Sequence, residues 1–139
     1  SDCSKKMKEK TSVSTISIEN STIMVVDDES IVRSIIIEML ELHKSNVIPV
    51  TCAKDAIRVY KKEHSKIDLV FLDMVMPDLN GLETFRELKK INKNVKVIIL
   101  SGYSMNDEIN QAISEGAVAF VQKPVSMKVL VTALKDALL

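Results

Sequence analysis

Residues 69–73 read Leu-Val-Phe-Leu-Asp, an unbroken run of apolar residues followed at once by an acidic one. Two other runs have the same character, namely Met24-Val-Val-Asp and Val97-Ile-Ile-Leu-Ser. A strand that alternates apolar and polar residues has one face in water, whereas a continuously apolar run is typical of a strand covered on both faces. These runs therefore predict the central strands of a parallel sheet with helices on both sides.

Short apolar runs alternate with segments of helical period from Thr22 to the end of the chain. The predicted strands are 23–26, 47–51, 69–72, 95–100 and 118–121, and the predicted helices are 31–43, 53–64, 82–91, 106–115 and 127–138. Pro49 cannot donate a ladder hydrogen bond, so the second strand belongs at an edge. Right-handed crossovers then predict an α/β fold of the flavodoxin-like, doubly wound (βα)5 type with parallel strand order 2-1-3-4-5. Ser30 is predicted to cap the first helix, and Gly116 to follow the fourth as its C′ residue.

Length and composition predict one folded domain. The chain has 139 residues, of which 46% are hydrophobic and 27% charged, which is typical of a globular protein. Residues 1–21 are rich in Ser, Thr and Lys and are interpreted as a leader or interdomain linker, which leaves 22–139 as the domain. Basic and acidic residues both number 19, so we expect no direct nucleic-acid binding.

No apolar run approaches the roughly 18 residues of a membrane helix, and the lysine-rich start is not followed by an apolar signal region. We therefore expect no membrane contact by this segment and a cytoplasmic location. Cys3 and Cys52 have neither the spacing of a metal site nor the density of a disulfide scaffold, so both are expected to be reduced thiols.

Hydrophilic side chains directly follow four of the predicted strands. They are Asp27 and Asp28 after the first, Asp73 after the third, Ser101 after the fourth and Lys123 after the fifth. Ligands of such sheets bind beyond the carboxyl ends of the strands, so we expect these side chains to converge. Clustered carboxylates repel one another unless a cation neutralises them, and hard oxygen ligands favour Mg²⁺. A cation, an ammonium and a hydroxyl together suit a phosphoryl group, with one carboxylate left as the nucleophile.

The sequence resembles the receiver domain of two-component response regulators over about residues 22 to 139. The resemblance rests on Val25-Val-Asp-Asp-Glu, Leu72-Asp-Met-Val-Met-Pro-Asp-Leu-Asn-Gly, Leu100-Ser-Gly-Tyr and Phe120-Val-Gln-Lys-Pro, in the family's order and at about its spacing. It implies that Asp73 accepts a phosphoryl group from a phosphohistidine, on a histidine kinase or a histidine phosphotransfer protein.

The resemblance also implies the roles of the other site residues. Mg²⁺ would be held by Asp27, Asp28, Asp73 and the backbone carbonyl of Val75. Ser101 and Lys123 would bind the phosphoryl oxygens, and the Lys123-Pro124 bond would be cis. Ser101 and Phe120 would form a switch that transmits phosphorylation to the surface. Phe120 stands where the family often has Tyr, so this position offers no tyrosine hydroxyl for an output to use.

The sequence also allows other interpretations of the parent protein and of the function. A domain appended to a hybrid sensor histidine kinase is the first interpretation of the parent protein, and a stand-alone response regulator is the second; self-association is left open. An aspartyl-phosphate phosphatase of the haloacid dehalogenase type needs a second Asp two residues after the first, where Val75 stands. A receiver-like domain that only binds partners would not need the complete set of site residues.

Overall fold

The computed structural model describes residues 19–138. In that range five strands alternate with five helices. The strands are β1 (Thr22–Val26), β2 (Asn46–Val50), β3 (Leu69–Asp73), β4 (Val97–Ser101) and β5 (Ala119–Gln122). The helices are α1 (Ser30–Leu42), α2 (Ala53–Glu63), α3 (Gly81–Ile91), α4 (Asp107–Ser114) and α5 (Met127–Leu138). The predicted elements are confirmed, with bounds that differ by one or two residues at most.

The strands form one parallel sheet in the order β2-β1-β3-β4-β5, so the predicted fold class is confirmed. Pro49 lies in edge strand β2, opposite Val25 of β1. β3 lies at the centre of the sheet between β1 and β4, and every residue of it is buried. The carboxyl ends of β1, β3 and β4 therefore lie side by side at one edge of the sheet.

Each face of the sheet has its own hydrophobic core. One core joins Met24, Val26, Val70 and Leu72 to Ala56, Tyr60, Phe85, Leu88 and Ile109 of α2, α3 and α4. The other joins Ile23, Val25, Leu69 and Phe71 to Ile36, Leu40, Leu130 and Leu134 of α1 and α5. Alternate residues of a strand point to opposite faces, and here both faces are covered. This arrangement explains why the strands are apolar without interruption.

The helix ends agree with the sequence prediction in one case and contradict it in another. Gly116 has a φ of +119°, two residues beyond the end of α4, as expected for a C′ glycine. Ser30 does not cap α1, because it is already the first helical residue and the N-cap is Glu29. The Glu29 side chain makes no capping hydrogen bond either, and the backbone N–H of Glu29 donates instead to Asp27 Oδ1 at 2.9 Å.

Two predictions lie wholly or mostly outside the described residues. The interpretation of residues 1–21 as a leader or linker falls mainly outside residues 19–138, and that of Cys3 falls wholly outside them, so both stay predictions. Cys52 is a free cysteine at the N-cap of α2. Within residues 19–138 no helix combines the length and the apolar character needed to cross a membrane.

Candidate functional site

Four polar side chains meet at the carboxyl edge of the sheet. Asp27 directly follows β1, Asp73 ends β3, Ser101 ends β4 and Lys123 directly follows β5. Asp27, Asp73 and Ser101 are buried, and Lys123 is nearly so. Buried polar groups are costly unless they are paired, so four of them at one edge of a sheet indicate a functional site rather than a solvated turn.

The Lys123 ammonium lies among three carboxylates. Its Nζ is 2.9 Å from Asp27 Oδ2, 2.9 Å from Glu29 Oε1 and 3.4 Å from Asp73 Oδ2. The contact with Glu29 is a hydrogen bond, in which the ammonium donates. One positive charge thus faces three negative ones, so the group carries excess negative charge.

The structure departs from the sequence prediction in the acidic residue that joins this group. Carboxylate oxygens of Asp27, Glu29 and Asp73 lie within 4.8 Å of one another, whereas Asp28 is exposed and does not belong to the group. The backbone N–H of Asp27 still bonds to Val50, and the chain then bends at Asp28, where the N–H of Glu29 donates to Asp27 Oδ1. Beyond this bend the Glu29 carboxylate reaches Lys123, whereas Asp28 is exposed. Glu29 directly follows the predicted acidic pair, but no local pattern distinguishes it from Asp28.

Burial and like charge perturb the acceptor carboxylate. Burial, reinforced by the charge of Asp27, raises the pKa of Asp73 to about 7, although Lys123 and the backbone N–H of Val75 act in the opposite direction. For Lys123 burial would lower the pKa, but the hydrogen bond to Glu29 and the charges of Asp27 and Asp73 outweigh it and raise that pKa. The ammonium is therefore fixed as a cation, while the Asp73 carboxylate is destabilised as an anion.

The donor set fits a hard divalent cation. Asp27 Oδ2 is fully buried and receives no hydrogen bond, because the nearby ammonium lies outside hydrogen-bond geometry. A buried carboxylate oxygen without a donor, beside other carboxylate oxygens, is the environment that Mg²⁺ prefers. Asp73 Oδ1 accepts the N–H of Val75 at 3.2 Å, and the Val75 side chain is exposed. The role of the Val75 carbonyl as a ligand stays a prediction.

Ser101 and Phe120 lie on neighbouring strands. Ser101 Oγ accepts the backbone N–H of Tyr103 at 3.1 Å, and the Ser101 carbonyl accepts the N–H of Lys123 at 2.8 Å. Phe120 pairs with Ile99 of β4 and is half-buried. Its ring packs against the hydrophobic core that lies between the sheet and helices α2, α3 and α4. The structure thus places the predicted switch residues on adjacent strands, with the aromatic ring at the boundary of a core. The Lys123-Pro124 bond is cis.

Three residues that sequence reasoning did not assign to the site support its loops. Arg33 Nη1 donates to the Asp27 carbonyl at 2.7 Å. Asp78 accepts the backbone N–H groups of Ala53 and Lys54 at 3.2 and 2.9 Å, which ties the loop after β3 to the start of α2. A Cβ on Gly81 would lie 2.6 Å from Met74 Cα, so only glycine allows that loop to close.

Comparison with known proteins identifies the family. The model of the response regulator receiver domain matches residues 23–135. The chain belongs to this receiver domain family. The predicted resemblance to receiver domains of two-component response regulators is therefore confirmed.

Similar receiver domains occur both alone and within long proteins. The chain is 30% identical to the chemotaxis protein CheY of Thermotoga maritima, over 81% of this chain and 92% of that protein. It is 29% identical to the sensor kinase CckA of Brucella abortus, over 86% of this chain but only 13% of the kinase. A receiver domain structure from Clostridium thermocellum matches with a TM-score of 0.81 and 35% identity, over 85% of this chain and 94% of that one.

Proposed function

We propose that this receiver domain accepts a phosphoryl group on Asp73 in a two-component phosphorelay. The observation that supports this choice most directly is the environment of the Asp73 carboxylate at the end of the central strand. One oxygen is held by the Val75 N–H, the other faces the Lys123 ammonium at 3.4 Å, and Ser101 ends the adjacent strand. Asp27 is less suited to be the acceptor, because its side chain is completely buried.

The proposed step is an exchange of the bond to phosphorus. An Asp73 carboxylate oxygen forms the new P–O bond while the P–N bond of a phosphohistidine breaks, and the departing imidazole keeps the electron pair and takes a proton from solvent. The Lys123 ammonium and the Ser101 hydroxyl donate to the phosphoryl oxygens, which stabilises the charge they carry. Charge stabilisation and in-line positioning are the principal contributions a protein makes to this chemistry.

Mg²⁺ fits the acidic edge of the site. Asp27 and Asp73 would hold it, with the Asp28 carboxylate and the Val75 carbonyl as the further ligands that the resemblance implies. Bound there, the ion would supply positive charge against the phosphoryl oxygens. Its removal by a chelator should abolish phosphorylation.

The proposed partners are a histidine kinase or a histidine phosphotransfer protein that donates the phosphoryl group. The domain itself would transfer the group to its own Asp73 and hydrolyse the product slowly, and any kinase activity would belong to another domain of the parent protein. We infer a cytoplasmic location from this role. A hybrid sensor kinase is the preferred parent and a stand-alone regulator the alternative, since relatives of both kinds match.

The acceptor can be tested with a small-molecule phosphodonor and Mg²⁺, by measuring intact mass. Wild type should gain one phosphoryl group, and Asp73→Ala should gain none. Asp55→Asn, which changes an exposed carboxylate on α2, is the matched control and should behave as wild type. Equal phosphorylation of Asp73→Ala and wild type would exclude Asp73 as the acceptor.

A further inference from the structure

The contacts of Lys123 raise a problem of occupancy. An ammonium group has three N–H donors and no acceptor. Here Asp27, Glu29 and Asp73 each place a carboxylate oxygen 2.9–3.4 Å from it, and the hydrogen bond that the ammonium donates goes to Glu29 Oε1. The proposed function requires Lys123 to donate to a phosphoryl oxygen, so the phosphoryl group has to compete with these carboxylates for the ammonium.

Asp27 and Asp73 are poorly suited to leave. Asp27 is completely buried, its carbonyl accepts from Arg33 and its Oδ1 accepts the N–H of Glu29. Asp73 is the group that would carry the phosphoryl, and its side chain is only 3% exposed. Moving either carboxylate out of the site would disrupt the end of a central strand.

Glu29 is different in each respect. Its side chain is 60% exposed, and the hydrogen bond from Lys123 at 2.9 Å ties its carboxylate to the group. Because the side chain is exposed, the Glu29 carboxylate can move away from Lys123 and be hydrated by solvent. An exposed ion pair of this kind contributes little to stability, which makes it the contact that is easiest to exchange.

We propose that Glu29 is a positioning residue that competes with the phosphoryl group for the Lys123 ammonium. In the unphosphorylated domain Glu29 holds Lys123 by a carboxylate contact, and the phosphoryl oxygens displace it. Glu29 therefore lowers the affinity of the site for a phosphoryl group. This inference rests on the proposed function of Asp73 and Lys123, and it gives Glu29 a role other than that of a metal ligand.

The test measures two affinities of the full chain by NMR: that for Mg²⁺ alone, and that for beryllofluoride, a phosphoryl mimic, at saturating Mg²⁺. Glu29→Gln should bind beryllofluoride about threefold to fivefold more tightly than wild type, the gain expected from removing a weak ion pair. Its affinity for Mg²⁺ should change by less than about twofold, because Glu29 is not a ligand in this proposal. Glu87→Gln, which removes an exposed carboxylate paired with Lys90 on α3, is the matched control and should match wild type in both.

Glu29→Asp separates contact from charge. It keeps the negative charge but is one methylene shorter, so it should lose the hold on Lys123 and also bind beryllofluoride more tightly. Tighter binding by Glu29→Gln but not by Glu29→Asp would show a general effect of charge and overturn the proposal. Unchanged beryllofluoride affinity in both variants would do the same.

Two further results are decisive. A loss of Mg²⁺ affinity of tenfold or more in Glu29→Gln would make Glu29 a metal ligand instead of a competitor. If wild type binds no beryllofluoride, or Asp73→Ala binds it equally well, the proposed function itself fails and this inference fails with it. A failure confined to the Glu29 variants leaves Asp73 as the acceptor.

Discussion

At the scale of single residues, the site places more negative charge in a buried position than its one ammonium balances. Asp27 and Asp73 are both buried, and Lys123 lies between them. A protein selected for stability alone would not keep two buried carboxylates beside one cation. The arrangement is suited to binding further positive charge and a phosphoryl group, at some cost in the stability of the unliganded domain.

This cost predicts that Asp73→Asn stabilises the domain in the absence of divalent cations. Burial raises the folded-state pKa of Asp73 to about 7. Below about pH 4 the carboxyl is protonated in both the folded and the unfolded chain, so it contributes no difference. Between about pH 4 and 7 the unfolded chain alone gives up the proton, and wild-type stability falls as pH rises; above about pH 7 the loss is complete.

The neutral amide of Asp73→Asn avoids this loss, so its gain over wild type should grow with pH. We expect a gain on the order of 1–2 kcal/mol at pH 8 and close to none at pH 4, measured by urea unfolding in a chelator. Asp55→Asn, at an exposed ion pair, serves as control and should change stability by less than about 1 kcal/mol at either pH. A gain that is equal at pH 4 and pH 8 would contradict this account.

At the scale of elements, the loop after β3 links the site to α2, which packs beside α3 in the same hydrophobic core. The N-cap of α2 is Cys52, whose side chain makes no capping hydrogen bond, and Asp78 from the loop after β3 accepts the first N–H groups instead. Burial acts to raise the pKa of Asp78, but the hydrogen bonds from Lys54 and Ala53 outweigh it and lower that pKa. A negative charge at this end also interacts favourably with the helix dipole.

We expect Asp78→Ala to cost about 0.5–2 kcal/mol of stability, which is the range typical of loss of a helix cap. Amide exchange at Ala53 and Lys54 should accelerate, because their hydrogen-bond acceptor is gone. Asp78→Asn keeps an acceptor and should lose less. Asn80→Ala, which removes the cap of α3, is a control in which exchange should accelerate at Glu83 and not at Ala53. Unchanged amide exchange at Ala53 and Lys54 in Asp78→Ala would show that Asp78 does not cap α2.

At the scale of the whole molecule, β4 and β5 connect the site to the surface formed by α4 and β5. Ser101 ends β4, its carbonyl accepts the N–H of Lys123, and Phe120 lies on β5 beside Ile99. Arg86 of α3 holds Glu115, just beyond α4, by two hydrogen bonds of 2.9 and 2.6 Å. A change at Ser101 and Lys123 therefore has a packed route to the α4 and β5 surface.

We expect beryllofluoride with Mg²⁺ to shift the population toward a second packing of Ser101 and Phe120. Hydrogen exchange should change across residues 101–122 and stay unchanged in the middle of α2. Ser101→Ala should still bind beryllofluoride, through Asp73 and Lys123, but the change across 101–122 should shrink. A response limited to the loop after Asp73 would contradict the switch while leaving phosphoryl binding intact.

Much of this protein could be derived from its sequence by itself. The uninterrupted apolar runs predicted strands covered on both faces, Pro49 placed β2 at an edge, and the order 2-1-3-4-5 followed from the general topology of flavodoxin-like sheets. Asp27, Asp73, Ser101 and Lys123 could be placed at one edge because the carboxyl ends of parallel strands meet there. These inferences need only local sequence patterns and the general rules of parallel sheets.

The tertiary structure decided what depends on direction and on distant partners. It brought Glu29 to Lys123 and left Asp28 exposed, because the chain bends at Asp28 just beyond β1. It gave the cap of α2 to Asp78, which lies 25 residues from Ala53 in the sequence. It also made Gly81 necessary, through the close approach of Met74. Contacts of this kind are set by how the loops pack, and no local pattern encodes them.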